Sequence, residues 1–155
     1  MMASMTLLAE NDYVGMTFWL ATAIMLASAV FFFVERSDVG AKWRTSMTVA
    51  GLVTGISFWH YLYMREAHLQ GEVTTVFRYV DWLITVPLQI VEFYLILAAV
   101  TAVTSTLFWR LLGASLVMLV FGFLGEAGLM DVTVGFVIGM AGWISVSYTH
   151  LTLPT

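Results

Sequence analysis

The sequence contains no cysteine, only two prolines, and charged side chains at just 10% of its 155 positions. Without thiols, disulfides and thiolate metal sites are excluded. Soluble domains carry about 25% charged residues. Here 61% of residues are hydrophobic and the mean hydropathy is +0.92, which excludes a water-soluble domain. Lysine is almost missing, with Lys42 standing alone. There is no basic tract, so no nucleic-acid partner is expected, and the net charge of -4 is scattered between apolar runs. No repeat or low-complexity stretch divides the chain. Met1–Asn11 shows neither the basic start nor the long apolar core of a secretion signal.

Long apolar runs are what the sequence does have. Val14–Val34, Met47–Met64, Val80–Val103, Leu111–Leu124 and Val132–Val146 approach or exceed the about 17–25 residues that a spanning helix needs. The expectation is an all-α membrane protein, a helix bundle of one domain with five spanning segments over 13–144. Residues 1–12 would form an N-terminal extracellular segment, and 145–155, polar and threonine-rich, an atypical, non-native tail. Ser105 and Thr106 open the fourth helix, and "GEAG" at 125–128 is its exit turn. Arg36, Lys42, Arg44 and Arg110 fall on one side of this arrangement. Arg65 falls on the other, with Glu10, Asp12, Glu66, Glu72, Glu126 and Asp131. Basic residues concentrate on the cytoplasmic side, so the N-terminus is expected outside.

The third run breaks its own pattern. It carries Arg78, Asp81, Gln89 and Glu92, although an ionised group at membrane depth costs roughly 2.5–3.5 kcal/mol even on translocon scales. At 100° per residue, Asp81, Thr85, Gln89 and Glu92 lie at about 0°, 40°, 80° and 20°, with Arg78 about 60° from Asp81. Glu92 is about 16 Å further along the axis than Asp81. One stripe thus bears a carboxylate toward each membrane face, which suits a proton path. Interhelical hydrogen bonding or snorkelling is the plainer alternative, chiefly for Arg78 and Glu92. Pro87 frees a carbonyl and makes room for a kink or a ligand. His60, near the outer end of the second run, falls at a depth similar to Asp81, where a His–Asp hydrogen bond would hold the imidazole.

Around these residues, "FRYVDWLITVPLQIVEFYLIL", with "GLVTGISFWHYLYMR" before it and "SLVMLVFGFLGEAG" after it, resembles the microbial rhodopsins of the proteorhodopsin type, from about Tyr13 to Trp143. The resemblance implies a seven-helix bundle that holds retinal as a protonated Schiff base and pumps protons outward in light. It implies a transporter rather than an enzyme, in a bacterial inner membrane, with lipid and protons as its partners. Asp81 then matches the counterion and proton acceptor, and Glu92 the cytoplasmic-side donor, with Thr85 between them. His60 and Arg78 match the partners of that counterion. Trp82, Thr85, Gln89, Met118, Gly122, Phe136, Gly139 and Trp143 match positions in or near the retinal pocket. Glutamine at 89 resembles the blue-absorbing form. A pump needs its acceptor ionised before the photon arrives, which Arg78 favours, and its donor waiting protonated, which apolar surroundings at Glu92 favour.

The pattern is incomplete. The family attaches retinal through a lysine on the seventh helix, and no residue here matches it. Lys42 corresponds to a loop position and is not expected to reach the bundle centre. Five of seven helices are present, so the fragment is expected to be inactive alone. Other readings are a sensory photoreceptor, a chromophore-free helix bundle, or a haem site using His60 and His68, with His68 placed in a loop. Trp19 is expected at a membrane interface, where it could also meet His60 of a neighbouring copy in a ring-shaped homo-oligomer.

Overall fold

A computed structural model describes residues 11–151, with side chains through Thr149. Most of the 1–12 segment, Glu10, the side chain of His150 and the last four residues lie outside this description. Five helices follow one another: α1 (Tyr13–Glu35), α2 (Arg44–Leu69), α3 (Thr75–Val100), α4 (Ser105–Glu126) and α5 (Val132–Leu151). Four of the five expected apolar runs lie within one helix each, the run Val80–Val103 overshoots the end of α3 at Val100 by three residues, and α5 continues through Ser145 to Leu151.

Local chemistry sets the ends. The Asp12 side chain accepts from the Gly15 amide at 2.8 Å and caps α1. Asp131 does the same for α5, accepting from the amides of Thr133 and Val134 at 3.0 and 3.1 Å. The other signature is glycine just beyond a helix end. Gly71 and Gly128 each have φ of +71°, a conformation that only glycine adopts without strain. Around Gly71 the Glu72 amide donates to the Ala67 carbonyl and the Gly71 amide to His68. Around Gly128 the pattern repeats with Leu129 to Leu124 and Gly128 to Gly125. These paired bonds are Schellman stops. The first of them extends α2 past Met64, so His68 sits in its last turn and not in a loop.

Four helices, α1, α3, α4 and α5, are long and apolar enough to cross a membrane by length and composition. The exception among the five expected spans is α2, which carries Ser46, Thr48, Thr54, Ser57, His60 and Arg65. Its position explains this. It packs against both α1 and α3, and it buries Ser46, Ser57, Ala50, Val53 and Met64 between them. Outward-facing side chains such as Ile24, Phe31, Val34, Trp109 and Val137 are apolar and exposed, as a lipid-facing surface requires.

Each helix packs on its neighbour in sequence, giving an open row from α1 to α5. The α4–α5 seam is made by small residues. Gly135, Gly139 and Gly142 repeat at four- and three-residue spacing along one face of α5. A Cβ on Gly135 would come 2.9 Å from the Phe121 carbonyl oxygen, and one on Gly142 2.9 Å from that of Ala114. Such stripes let helix backbones approach in lipid, where apolar burial gives little net drive.

Two outcomes are expected. Gly142→Leu forces the helices apart and lowers stability by about 1–3 kcal/mol, read by detergent-titrated unfolding in micelles. The backbone bond to Gly15, then His68, holds the Asp12 carboxyl below the ordinary 3.8 despite some desolvation. Its contribution is therefore complete above 3.8 and lost as pH falls through the lower folded value. Protection of the Gly15 amide from hydrogen exchange should fall in that acid window, and Asp12→Asn, still a good cap, should remove the pH dependence.

Candidate functional site

The open row leaves a trough, because α3 and α5 both lean on α4 while, among the described residues, their backbones stay apart from each other. There lies a cleft of about 680 Å³ to which all five helices contribute. Met25 comes from α1, Ser57 and Tyr61 from α2, and Gly135 and Met140 from α5. The positions singled out from the sequence, Trp82, Thr85, Gln89, Met118, Gly122, Phe136, Gly139 and Trp143, all border this cleft, as does Asp81. Their convergence follows from helix geometry. Asp81, Thr85 and Gln89 recur every four residues on α3, while Phe136, Gly139 and Trp143 recur every three or four on α5. Gly122 leaves space on α4, where a Cβ would stand 3.1 Å from the Tyr79 hydroxyl. The walls are mostly apolar, with aromatic and thioether side chains the largest share, which is the composition of a small-molecule site.

Asp81 is the most consequential of the polar groups in the cleft. It is 3% exposed, and its Oδ1 lies 2.8 Å from Nδ1 of His60. With the carboxylate ionised, Nδ1 carries the proton and donates, which fixes the tautomer. Ser57, one turn before His60 on α2, faces the same carboxyl group. Thr85 is 2% exposed, and its hydroxyl donates to the backbone carbonyl of Asp81 at 2.9 Å. That hydroxyl is thus engaged with the helix itself.

The remaining expected residues lie elsewhere. Glu92 is half-buried and outside the cleft lining. Arg78 turns to α4: its Nη2 donates to Glu126 Oε1 and, at 3.1 Å, to Thr75 Oγ1, and it forms no ion pair with Asp81. Lys42 lies near the far end of α3, its Nζ donating to the Ala99 carbonyl at 3.4 Å and lying 5.0 Å from the Trp43 ring centre. Ala99 is eighteen residues beyond Asp81, about 27 Å along the helix. Lys42 therefore does not reach the cleft. His68 approaches Asp12 at 3.4 Å, so the two histidines considered as a haem pair serve different carboxylates. Trp19 is 42% exposed and stacks under Arg65, whose guanidinium carbon is 4.4 Å from the ring centre.

Sequence reasoning gave no site role to Tyr79, Ser57, Tyr61 or Glu126. Tyr79 lies about 160° from Asp81 on a helical wheel, which takes it off the polar stripe. Glu126 did leave a signal. A carboxylate on the last residue of a helix opposes the helix dipole, so it calls for a cation opposite.

A buried carboxylate–imidazole pair in an aromatic-walled cleft, within a bundle of apolar helices, defines a membrane protein with an internal charged site. Residues 12–153 match the family described as bacteriorhodopsin-like protein. The chain belongs to that family and is a multi-pass bacterial membrane protein. It is 64% identical over 139 residues to the blue-light absorbing proteorhodopsin of Gamma-proteobacterium Hot 75m4, covering 89% of this chain and 55% of that protein. The crystal structure of blue light-absorbing proteorhodopsin from Med12 superposes with a TM-score of 0.80 at 65% identity, covering 89% of this chain and 66% of that one. Xanthorhodopsin, described as a light-driven ion pump with dual chromophore, gives a TM-score of 0.77 at 28% identity, with 90% and 63% covered. The chain spans about half the length of the curated relatives it matches.

The His60–Asp81 contact should be measurable as energy. Removing either partner strands the other in a buried site, and a double-mutant cycle with His60→Ala and Asp81→Asn should return a coupling of roughly 0.5–3 kcal/mol in the unfolding free energy.

Proposed function

We propose that this chain supplies five helices of a light-driven outward proton pump that uses retinal. The observation that carries the reading is Asp81, a buried carboxylate held by His60, opening on an aromatic-walled cleft of about 680 Å³. The residues present fit retinal. Trp82, Phe136, Met118 and Trp143 offer apolar walls for a polyene, Gly122 and Gly139 leave room for its width, and Asp81 offers a counter-charge for a cationic end. When bound, retinal supplies a light-driven change of shape and of proton affinity beside Asp81.

The chain's own groups do the rest. Asp81 holds a negative charge in the dark and accepts the proton, while His60 keeps the carboxylate oriented. Glu92 lies about 16 Å nearer the other membrane face and returns a proton from that side. Gln89 borders the cleft, and its amide dipole favours the ground-state charge distribution of a polyene, which supports absorption in the blue. A covalent link would be made by a lysine outside these 155 residues, since Lys42 is held at the far end of α3.

Arg36, Lys42, Arg44 and Arg110 at one end support a cytoplasmic placement of that end, with the N-terminus outside. A ring-shaped homo-oligomer belongs to the same reading, and the exposed part of the Trp19 ring supports a contact between copies. A sensory photoreceptor needs no carboxyl donor at position 92, and a chromophore-free bundle needs neither the cleft nor its buried carboxylate.

The test is complementation. The chain is co-expressed with the half of the blue-absorbing relative that it does not cover, in cells given all-trans retinal. The expected result is a visible pigment and acidification of the medium on illumination, abolished by Asp81→Asn and slowed by Glu92→Gln. A pigment that forms without moving protons would overturn the pump and favour the sensory reading.

A further inference from the structure

Two acids and two bases lie at the outer half of α3, and they are sorted into separate pairs. Asp81 is bound to His60 from α2. Arg78, only three residues away on the same helix, is bound to Glu126 from α4 and to Thr75. Glu126 terminates α4, where the helix dipole disfavours a carboxylate, and the cation brought by α3 offsets that. The Tyr79 hydroxyl faces the same carboxylate from the cleft side. The arginine is incompletely satisfied in this pose: its Nε is buried and has no hydrogen-bond partner. A guanidinium with a spare buried donor, three residues from a buried carboxylate, can serve either acid.

We infer that Glu126 is a positioning residue which anchors the Arg78 guanidinium at the outer end of the bundle and thereby leaves Asp81 to His60 alone. The charged groups that define this balance are Glu126 on α4, Asp81 on α3 and His60 on α2, with the Thr75 and Tyr79 hydroxyls as neutral partners. Two carboxylates compete for one arginine, and the ionised Glu126 holds it. Removing that charge frees the guanidinium to turn toward Asp81. The consequence for the proton acceptor rests on the pump reading, but the geometry does not, so it is read in the chain alone without retinal.

The experiment is a set of nitrogen-to-carbon dipolar distance measurements on the full chain in lipid membranes, with isotope-labelled arginine and side-chain carboxylates. Signals lost in Arg78→Lys are assigned to Arg78. The expected result is an Arg78 contact to the Glu126 carboxyl carbon and none to that of Asp81. In Glu126→Gln a contact to Asp81 should appear, and in Glu126→Asp the original partition should be largely restored. Tyr79→Phe, which removes a hydroxyl but no charge, should leave Arg78 on Glu126. If Arg78 contacts Asp81 in the unaltered chain, or stays in place in Glu126→Gln, Glu126 does not position it. Should Glu126→Gln fail to fold, Glu126→Asp and Tyr79→Phe decide: loss of the Arg78–Glu126 contact in Tyr79→Phe would show the hydroxyl, not the charge, to be the anchor. Failure of proton pumping in the complemented protein, with these contacts intact, would count against the pump and not against the anchor.

Discussion

A carboxylate removed from water governs this structure. A carboxyl group in a low-dielectric interior is costly without hydrogen-bond partners, and the surrounding helices supply them. His60 supplies a hydrogen bond at 2.8 Å, and Ser57 faces the same group from one turn earlier. Both come from α2, the one helix that is not apolar enough to pass as a membrane span by composition. Its polarity follows from its place between α1 and α3 and its service to α3. The exposed sides of the other helices can then be almost wholly apolar.

A second constraint is room. The cleft exists because α5 is held close to α4 by the glycines at 135, 139 and 142, while α3 meets α4 by a smaller contact made through Tyr79, Phe123 and the Arg78–Glu126 pair. The seam and the trough are thus linked. Close approach at α4–α5 sets where Phe136 and Trp143 stand, and the separation of α5 from α3 sets the width between them and Asp81. Charge is handled the same way at the end of the bundle where α1 begins and α2 ends, where Asp12 with His68, Arg65 with Trp19, and Arg78 with Glu126 link neighbouring helices in pairs.

Much of this could be read from the residues in order. Five apolar runs correspond to five helices because hydrophobicity over about 20 residues is a strong local signal. The polar stripe of α3 was visible because its spacing matches the helical turn, and resemblance to a known family placed the α4 and α5 residues that line the cleft. Other features were not legible. The last turn of α2, with His68, was read as a loop because glycine stops depend on positive φ at one residue and "HLQGE" carries no apolar pattern. Arg78 was expected to serve Asp81, its neighbour on the wheel, since its actual partner sits forty-eight residues away at the end of another helix. Tyr79 was missed because a wheel measures direction around one helix, whereas a cleft is lined from the gaps between several.

The central claim is that these five helices already form a cleft shaped for retinal beside Asp81, without a lysine to bind it covalently. The direct measurement is a titration of the chain in lipid membranes with all-trans retinal, following tryptophan fluorescence and the visible spectrum. Saturable quenching with a spectrum close to that of free retinal, weakened in a Gly122→Leu variant that fills the cleft, is the predicted result. Quenching that never saturates and is equal in the variant would mean that retinal only partitions into lipid. A red-shifted pigment bleached by hydroxylamine would mean that Lys42 had reached it, and would contradict the placement of that residue at the far end of α3.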